Sequence, residues 1–181
     1  MNIELLILDV DGVLTDGTKV YNINHEVVSK RYLCKDFTAI KRIIAAGVNV
    51  IMISGDNFNE SMAKKRNIDF FCSRGADLSL DKSRFLDLFE KKYQVPREKM
   101  AFVGDDYFDL SMFKSLKTTF CPCDAPLVIR ENASYVLNSR GGDGAIVELY
   151  DLLFKLGCLN EATEEEVASL DRLQASSKEM S

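Results

Sequence analysis

Three short apolar segments end abruptly in turns that carry glycine and acidic residues, and this pattern constrains the fold strongly. They cover residues 3–8, 48–53 and 100–103, and the turns read Asp9-Val10-Asp11-Gly12, Ser54-Gly55-Asp56 and Gly104-Asp105-Asp106. Continuous apolar runs of this length are typical of parallel strands that are covered on both faces. Between them, positions 37–44 and 85–89 carry apolar residues spaced for one helical face. This alternation predicts an α/β fold, Rossmann-like and three-layered, with a parallel central sheet.

Weaker patterns extend this fold in both directions. Residues 70–72, 118–121 and 135–137 are further strand candidates, and a last helix is expected over residues 144–156. Two extended segments predict a β-hairpin over about residues 18–32, projecting after the first strand. Residues 158–181 are rich in Glu, Ser and Ala, which favours a weak helix or a mobile tail. We therefore predict one domain over residues 1–157 and a polar C-terminal tail over residues 158–181.

Composition and charge argue against several functional classes. The formal charge is −5 and no basic stripe is present, so nucleic acid is not an expected partner. No apolar stretch reaches the roughly 18 to 20 residues that span a bilayer, and the first residues do not resemble a signal peptide, so we expect no membrane association and a cytoplasmic location. The 5 cysteines are an odd number and predict reduced thiols rather than a disulfide framework.

Polar side chains from distant parts of the chain are expected to meet at one edge of the sheet. The carboxyl ends of parallel strands converge there, and the helix that follows Lys82 can bring this lysine in from the side. The converging residues are Asp9, Asp11, Ser54, Asp105, Asp106 and Asp109. Clustered carboxylates repel one another unless a cation neutralises them, and all-oxygen ligation suits Mg²⁺.

The same cluster predicts phosphoryl chemistry. A hydroxyl, the backbone amides of the turns and an ammonium can cradle phosphoryl oxygens, and we expect Gly12, Ser54, Gly55, Asp56 and Lys82 to contribute. An aspartate beside such a cradle can attack phosphorus in line and form an acyl phosphate that water hydrolyses. We predict Asp9 as this nucleophile. Asp11 lies on the same side of the strand's period and could protonate the leaving alcohol.

These residues resemble the motifs of the haloacid dehalogenase superfamily. Asp9-Val10-Asp11-Gly12-Val13-Leu14-Thr15 is similar to its nucleophile motif, and the other three motifs correspond to Ser54, Lys82 and Gly104-Asp105-Asp106 with Asp109. The resemblance implies that Asp9 is nucleophile and metal ligand, that Asp11 is acid/base and a ligand through its main-chain oxygen, and that Asp105 completes the protein ligands. It also places Asp106 and Asp109 around them, where they would hold Lys82 or a metal-bound water.

A closer similarity is to the small capless group of 3-deoxy-D-manno-octulosonate (KDO) 8-phosphate and nonulosonate 9-phosphate phosphatases. It covers residues 3–153 and includes the segment before the hairpin, Lys35-Asp36, Gly75 before Lys82, and Gly141-Gly142-Asp143-Gly144-Ala145. This resemblance implies a phosphorylated sugar acid as substrate, no large cap domain, and a homotetramer in which the hairpins form the core and neighbouring subunits help close each site.

Two departures from that group concern the substrate. Its usual Thr-Gly-Arg is Ser54-Gly55-Asp56 in this chain, and an arginine that normally follows the late glycines is Val147. Both replacements remove positive charge that would face an acidic sugar, although Asp56 could equally be the N-cap of the next helix. The longer gap after Gly75 leaves Lys64 and Lys65 as alternatives to Lys82.

Two other functional classes remain open from the sequence. One is a catalytically quiet oligomerisation or regulatory domain, similar to segments attached to acylneuraminate cytidylyltransferases. The other is a receiver-type signalling domain, which also phosphorylates an aspartate near a Ser or Thr and a lysine. In a receiver the acceptor aspartate lies on a later strand, whereas the later strand here ends in Ser54.

Overall fold

A six-stranded parallel sheet forms the centre of the computed structural model, which describes residues 2–74 and 81–176. The strands are β1 (Leu5–Leu8), β2 (Val20–Tyr21), β3 (Val27–Ser29), β4 (Asn49–Ser54), β5 (Asp69–Cys72), β6 (Met100–Val103), β7 (Thr118–Cys121) and β8 (Tyr135–Val136). The sheet order is β5-β4-β1-β6-β7-β8, while β2 and β3 pair separately as an antiparallel hairpin. Both the predicted parallel sheet and the predicted hairpin are present.

Seven helices complete the layers in the described part of the chain. They are α1 (Cys34–Ala45), α2 (Glu60–Lys64), α3 (Leu86–Tyr93), α4 (Leu110–Ser115), α5 (Leu127–Asn132), α6 (Ala145–Lys155) and α7 (Glu164–Ser176). Helices α1, α2 and α6 contribute to one buried apolar cluster, and α3, α4 and α5 contribute to another. The sheet lies between them, so the predicted three-layer fold is confirmed.

Strand β1 lies in the middle of the sheet, and this position explains why its sequence is continuously apolar. It pairs with β4 and β6, and Leu8 lies opposite Met52 and Val103. Leu6 and Leu8 pack toward the first cluster and Leu5 and Ile7 toward the second, and all four are completely buried. Because the three strands are parallel neighbours, the turns that follow them meet above one edge of the sheet.

The packed part of the chain extends beyond the end predicted near Gly157. Cys158 and Leu159 are buried in the first cluster, and Val167 of α7 is also buried. Helix α7 is tied to α1 by ion pairs from Lys41 to Asp171 and, at 2.8 Å, from Arg42 to Glu164. Of the two alternatives predicted for this segment, a helix is observed, and it packs against α1.

Gly75, which the family resemblance places before Lys82, lies outside the described residues, as do residues 76–80. A search of the described helices for one long and apolar enough to cross a membrane found none.

Candidate active site

Asp9 and Lys82 form a buried ion pair at the carboxyl edge of the sheet. The Asp9 N–H donates to the Val103 carbonyl at 2.9 Å, which fixes the residue directly beyond β1. The Lys82 ammonium donates to Asp9 Oδ1 at 2.9 Å and to Asp109 Oδ1 at 2.5 Å. Lys82 is 4% exposed, whereas Lys64 and Lys65 are exposed at the end of α2. The structure thus brings Lys82, and neither of the alternatives, to Asp9.

Three carboxylates converge beside this ion pair. Oxygens of Asp9, Asp105 and Asp109 lie within 4.8 Å of one another. Asp105 Oδ1 is buried and accepts no hydrogen bond. Burial, reinforced by the charges of Asp9 and Asp109, raises the pKa of Asp105 to about 9. Burial also raises the pKa of Asp9 to about 7, against the opposing effect of Lys82.

This donor set fits a hard divalent cation. All its donors are oxygens, the site is buried and negative, and one carboxylate oxygen has no other partner. Asp109 accepts from Lys82 through Oδ1 and from the N–H groups of Asp105 and Asp106 through Oδ2, at 2.9 and 3.1 Å. Since both oxygens of Asp109 are occupied, Asp9 and Asp105 are the side chains that would hold the ion.

Asp106 and Gly12 contribute mainly to the geometry of the turns. The Asp106 carboxylate accepts the Tyr107 N–H at 2.6 Å and caps the 3-10 turn Tyr107–Asp109, while Lys82 donates to Asp9 and Asp109. Gly12 has φ +82°, and a Cβ there would lie 1.9 Å from Asp105 Oδ2. Its N–H donates to Thr15 Oγ1 at 3.3 Å. The observed contribution of Gly12 is therefore the space that it leaves for Asp105.

Asp11 is held by residues that the sequence analysis did not single out. Lys30, which follows β3, donates to Asp11 Oδ1 at 2.6 Å, and Asn59 donates to Asp11 Oδ2 at 3.0 Å. The Ser54 hydroxyl lies 3.4 Å from the same Oδ2. The side chain of Lys30 is completely buried, although it starts from an exposed hairpin. A lysine in a polar hairpin gives no sequence signal of this contact.

Asp56 is both an N-cap and part of a charged group. It accepts the Phe58 N–H at 3.0 Å, and it pairs with Lys19 at 2.7 Å and with Lys30 at 2.9 Å. Burial would raise the pKa of Asp56, but the two lysines and the Phe58 amide hold it well below its usual range. The predicted N-cap is present, and the negative charge of Asp56 is compensated by the hairpin.

A cleft of about 190 Å³ opens over these groups. Its floor carries Asp9, Asp11, Ser54 and Lys82, and its lining is completed by Lys19, Gly55, Asp56, Ser73, Arg74, Asp106, Phe108 and Asp109. Within the described part of the chain, Arg74 forms no ion pair. Positive charge at the cleft therefore comes from Lys19, Arg74 and Lys82.

The late glycine segment supports the turn after β1 instead of lining the cleft. A Cβ on Gly141 would lie 1.9 Å from the Gly12 carbonyl oxygen, and the Gly142 N–H donates to Val13 at 2.9 Å. At the start of α6, the N–H groups of Ile146 and Val147 both donate to Asp36 Oδ1 at 3.1 Å. The anion at this helix N-terminus is thus a side chain of α1, and the glycines allow close approach to the turn after β1.

Comparison with known proteins places this site in a family. A family model for haloacid dehalogenase-like hydrolases matches residues 76–149. The chain is 34% identical, over 85% of its length and 84% of the relative's, to 3-deoxy-D-manno-octulosonate 8-phosphate phosphatase of Haemophilus influenzae. It is 32% identical to the Salmonella typhi enzyme of that name, over 92% and 87% of the two chains.

Solved structures show the same relationship. The cobalt-bound form of the Haemophilus influenzae phosphatase has a TM-score of 0.76 at 32% identity. The match covers 85% of this chain and 88% of the phosphatase chain. The Moraxella catarrhalis enzyme in complex with magnesium, phosphate and KDO has a TM-score of 0.75 at 25% identity, with 84% and 86% covered. The chain therefore belongs to the haloacid dehalogenase superfamily and is a phosphatase of the capless group that resembles 3-deoxy-D-manno-octulosonate 8-phosphate phosphatase.

Proposed function

We propose that this phosphatase hydrolyses the phosphate monoester of an acidic sugar, of the KDO 8-phosphate or nonulosonate 9-phosphate type, through an aspartyl phosphate on Asp9. The observation that carries the proposal is the Asp9 carboxylate at the floor of a cleft, beside Lys82 and Asp105. A carboxylate in this position can attack phosphorus, while the positive charge of Lys82 compensates the phosphoryl group.

Each step of the reaction has a side chain to perform it. A carboxylate oxygen of Asp9 forms a bond to phosphorus as the bond from phosphorus to the leaving alcohol breaks, and Asp11 donates the proton that the alcohol needs. Asp11 then accepts a proton from the water that attacks the acyl phosphate, which releases phosphate and regenerates Asp9. Mg²⁺ held by Asp9, Asp105 and the main chain of Asp11 would supply charge stabilisation for the phosphoryl oxygens.

The charges at the mouth of the cleft support an acidic substrate. Lys19 and Arg74 line the cleft, so positive partners are available although Asp56 and Val147 replace the arginines of related enzymes. Lys19 also pairs with Asp56, which leaves Arg74 as the stronger candidate for a substrate carboxylate. The similar Moraxella enzyme, whose structure contains KDO, supports a sugar acid as the class.

We further propose a cytoplasmic homotetramer with shared sites. The hairpin exposes Val20, Tyr21 and Ile23, the last at 95%, while Lys19 beside them lines the cleft and Lys30 binds Asp11. A second copy that covers these apolar residues would also close the site against water. Sedimentation velocity at micromolar concentration should give a tetramer, and a monomer at that concentration would contradict the proposal.

The function is tested by phosphate release from a panel of sugar phosphates. The panel should contain KDO 8-phosphate, a nonulosonate 9-phosphate and neutral hexose phosphates, each with Mg²⁺ and with a chelator. We expect release from at least one of the sugar acid phosphates, little from the neutral sugars, and none after chelation. Equal rates for neutral and acidic sugars would contradict the substrate class, and a reaction unaffected by chelation would contradict the metal requirement.

A further inference from the structure

We propose that Asn59 is a positioning residue that holds the acid/base Asp11 in its working orientation, with Lys30 of the hairpin completing the hold. This inference rests on the proposed function, because it concerns the protonation of the leaving alcohol. Asn59 ends the 3-10 turn Asn57–Asn59 after β4 and is completely buried.

The Asn59 amide uses its whole hydrogen-bonding capacity. Its Nδ2 donates to Asp11 Oδ2 and to Ser54 Oγ, both at 3.0 Å. Its Oδ1 accepts from the Lys30 ammonium and from the Tyr32 hydroxyl, both at 3.0 Å. An asparagine offers two donor hydrogens and two acceptor lone pairs, and all four are engaged here.

These partners fix which way the amide points. An ammonium can only donate and a carboxylate can only accept, so Oδ1 must face Lys30 and Nδ2 must face Asp11. Turning the amide over would place its oxygen against the Asp11 carboxylate and its nitrogen against the Lys30 ammonium. The Nδ2 donor is therefore held in place by the hairpin lysine and by Tyr32.

Asp11 is then held at both oxygens. Lys30 binds Oδ1 at 2.6 Å and Asn59 binds Oδ2 at 3.0 Å. Because Asn59 also binds Ser54, one side chain sets the position of the acid/base relative to a hydroxyl on the cleft floor. An acid that must reach the leaving oxygen loses efficiency when it can rotate away, so we assign Asn59 to the proton-transfer geometry.

The test uses the leaving group to separate positioning from general damage. Asn59→Asp keeps the size of the side chain and its acceptor toward Lys30, but it replaces the donor toward Asp11 by an oxygen. We expect kcat/KM for the sugar acid phosphate that the wild type hydrolyses, whose leaving alcohol needs a proton, to fall by about 10- to 100-fold, a fraction of what general acid catalysis contributes. For p-nitrophenyl phosphate, whose phenolate leaves without a proton, we expect a loss of less than about threefold because no acid is needed.

Controls separate the possible outcomes. Asn57→Asp makes the same change at an exposed position of the same turn and should leave both values unchanged. If Asn59→Asp does not fold, Asn59→Ala removes the same donor and should show the same split. Equal losses for the two substrates, or no loss for either, would overturn the inference while leaving the proposed function in place. A wild-type enzyme that hydrolyses neither substrate would overturn both.

Discussion

Replacing Asp9 by Asn should lower kcat by on the order of 10⁴-fold or more, because an amide would take the place of the carboxylate that we propose as the nucleophile. The stability of the folded protein should not fall together with the activity. Asp9 is one of three crowded carboxylates, and burial raises its pKa to about 7. Lys82 would keep Asp109 as its ion-pair partner, so removing the charge of Asp9 should leave the metal-free protein as stable as the wild type, or more stable.

The matched control for this change is Asp151→Asn on the exposed face of α6. It makes the same chemical change far from the cleft and should alter neither kcat nor the melting temperature. Phosphate release and thermal unfolding, measured on the same preparations, give both quantities. Turnover of the Asp9→Asn enzyme within tenfold of the wild type would rule out the aspartyl phosphate on Asp9 and would favour another nucleophile, whereas no turnover of any substrate by the wild type would favour a quiet domain.

Replacing Lys82 by Met should remove both activity and much of the stability. Lys82 provides the buried positive charge for Asp9 and Asp109, and these two charges raise its own pKa even though burial acts to lower it. Breaking a buried ion pair by removing one partner costs about 3 to 5 kcal/mol, because the remaining charge stays unpaired. Lys91→Met on α3, at an exposed position, is the control and should be neutral.

The stability that the Lys82→Met variant loses should depend on pH and on Mg²⁺. The carboxyls of Asp9 and Asp105 have folded pKa values of about 7 and about 9, above the ordinary 3.8. Stability from these protonated carboxyls is fully present below pH about 4 and is lost as pH rises through about 7 and about 9. Chemical unfolding without metal should therefore show a larger deficit of Lys82→Met at pH 8 than at pH 5, and Mg²⁺ should reduce it. A deficit independent of pH would contradict this account.

The sequence was sufficient for the sheet because its central strands are buried on both faces. Residues of β1, β4 and β6 are apolar without alternation, and the turns after them contain the glycines and acids that mark strand ends. The strand order and the register were not predicted, because the rules for connecting parallel strands leave several topologies open. The burial of Cys158 and Leu159, beyond the boundary predicted at Gly157, could not be predicted, because two apolar residues are too few to form a pattern.

The floor of the site was also predictable, but the groups that orient it were not. Asp9, Asp11, Ser54, Lys82 and Asp105 lie at strand and helix ends, where backbone topology alone brings them together. Lys30 and Asn59 reach the site through side-chain contacts across 19 and 48 positions of the chain. Nothing in the local sequence distinguishes them from an exposed lysine and a turn asparagine.

The close approach of Gly141 to Gly12 determines where this chain can be truncated. A fragment that stopped after α5 would retain each predicted catalytic side chain, yet the turn after β1 would lose the backbone that it packs against. The link from Asp36 to the first amides of α6 would be lost with it. A split or truncated version of this enzyme therefore needs residues 141–147 as a template for the turn after β1, even though they carry none of its chemistry.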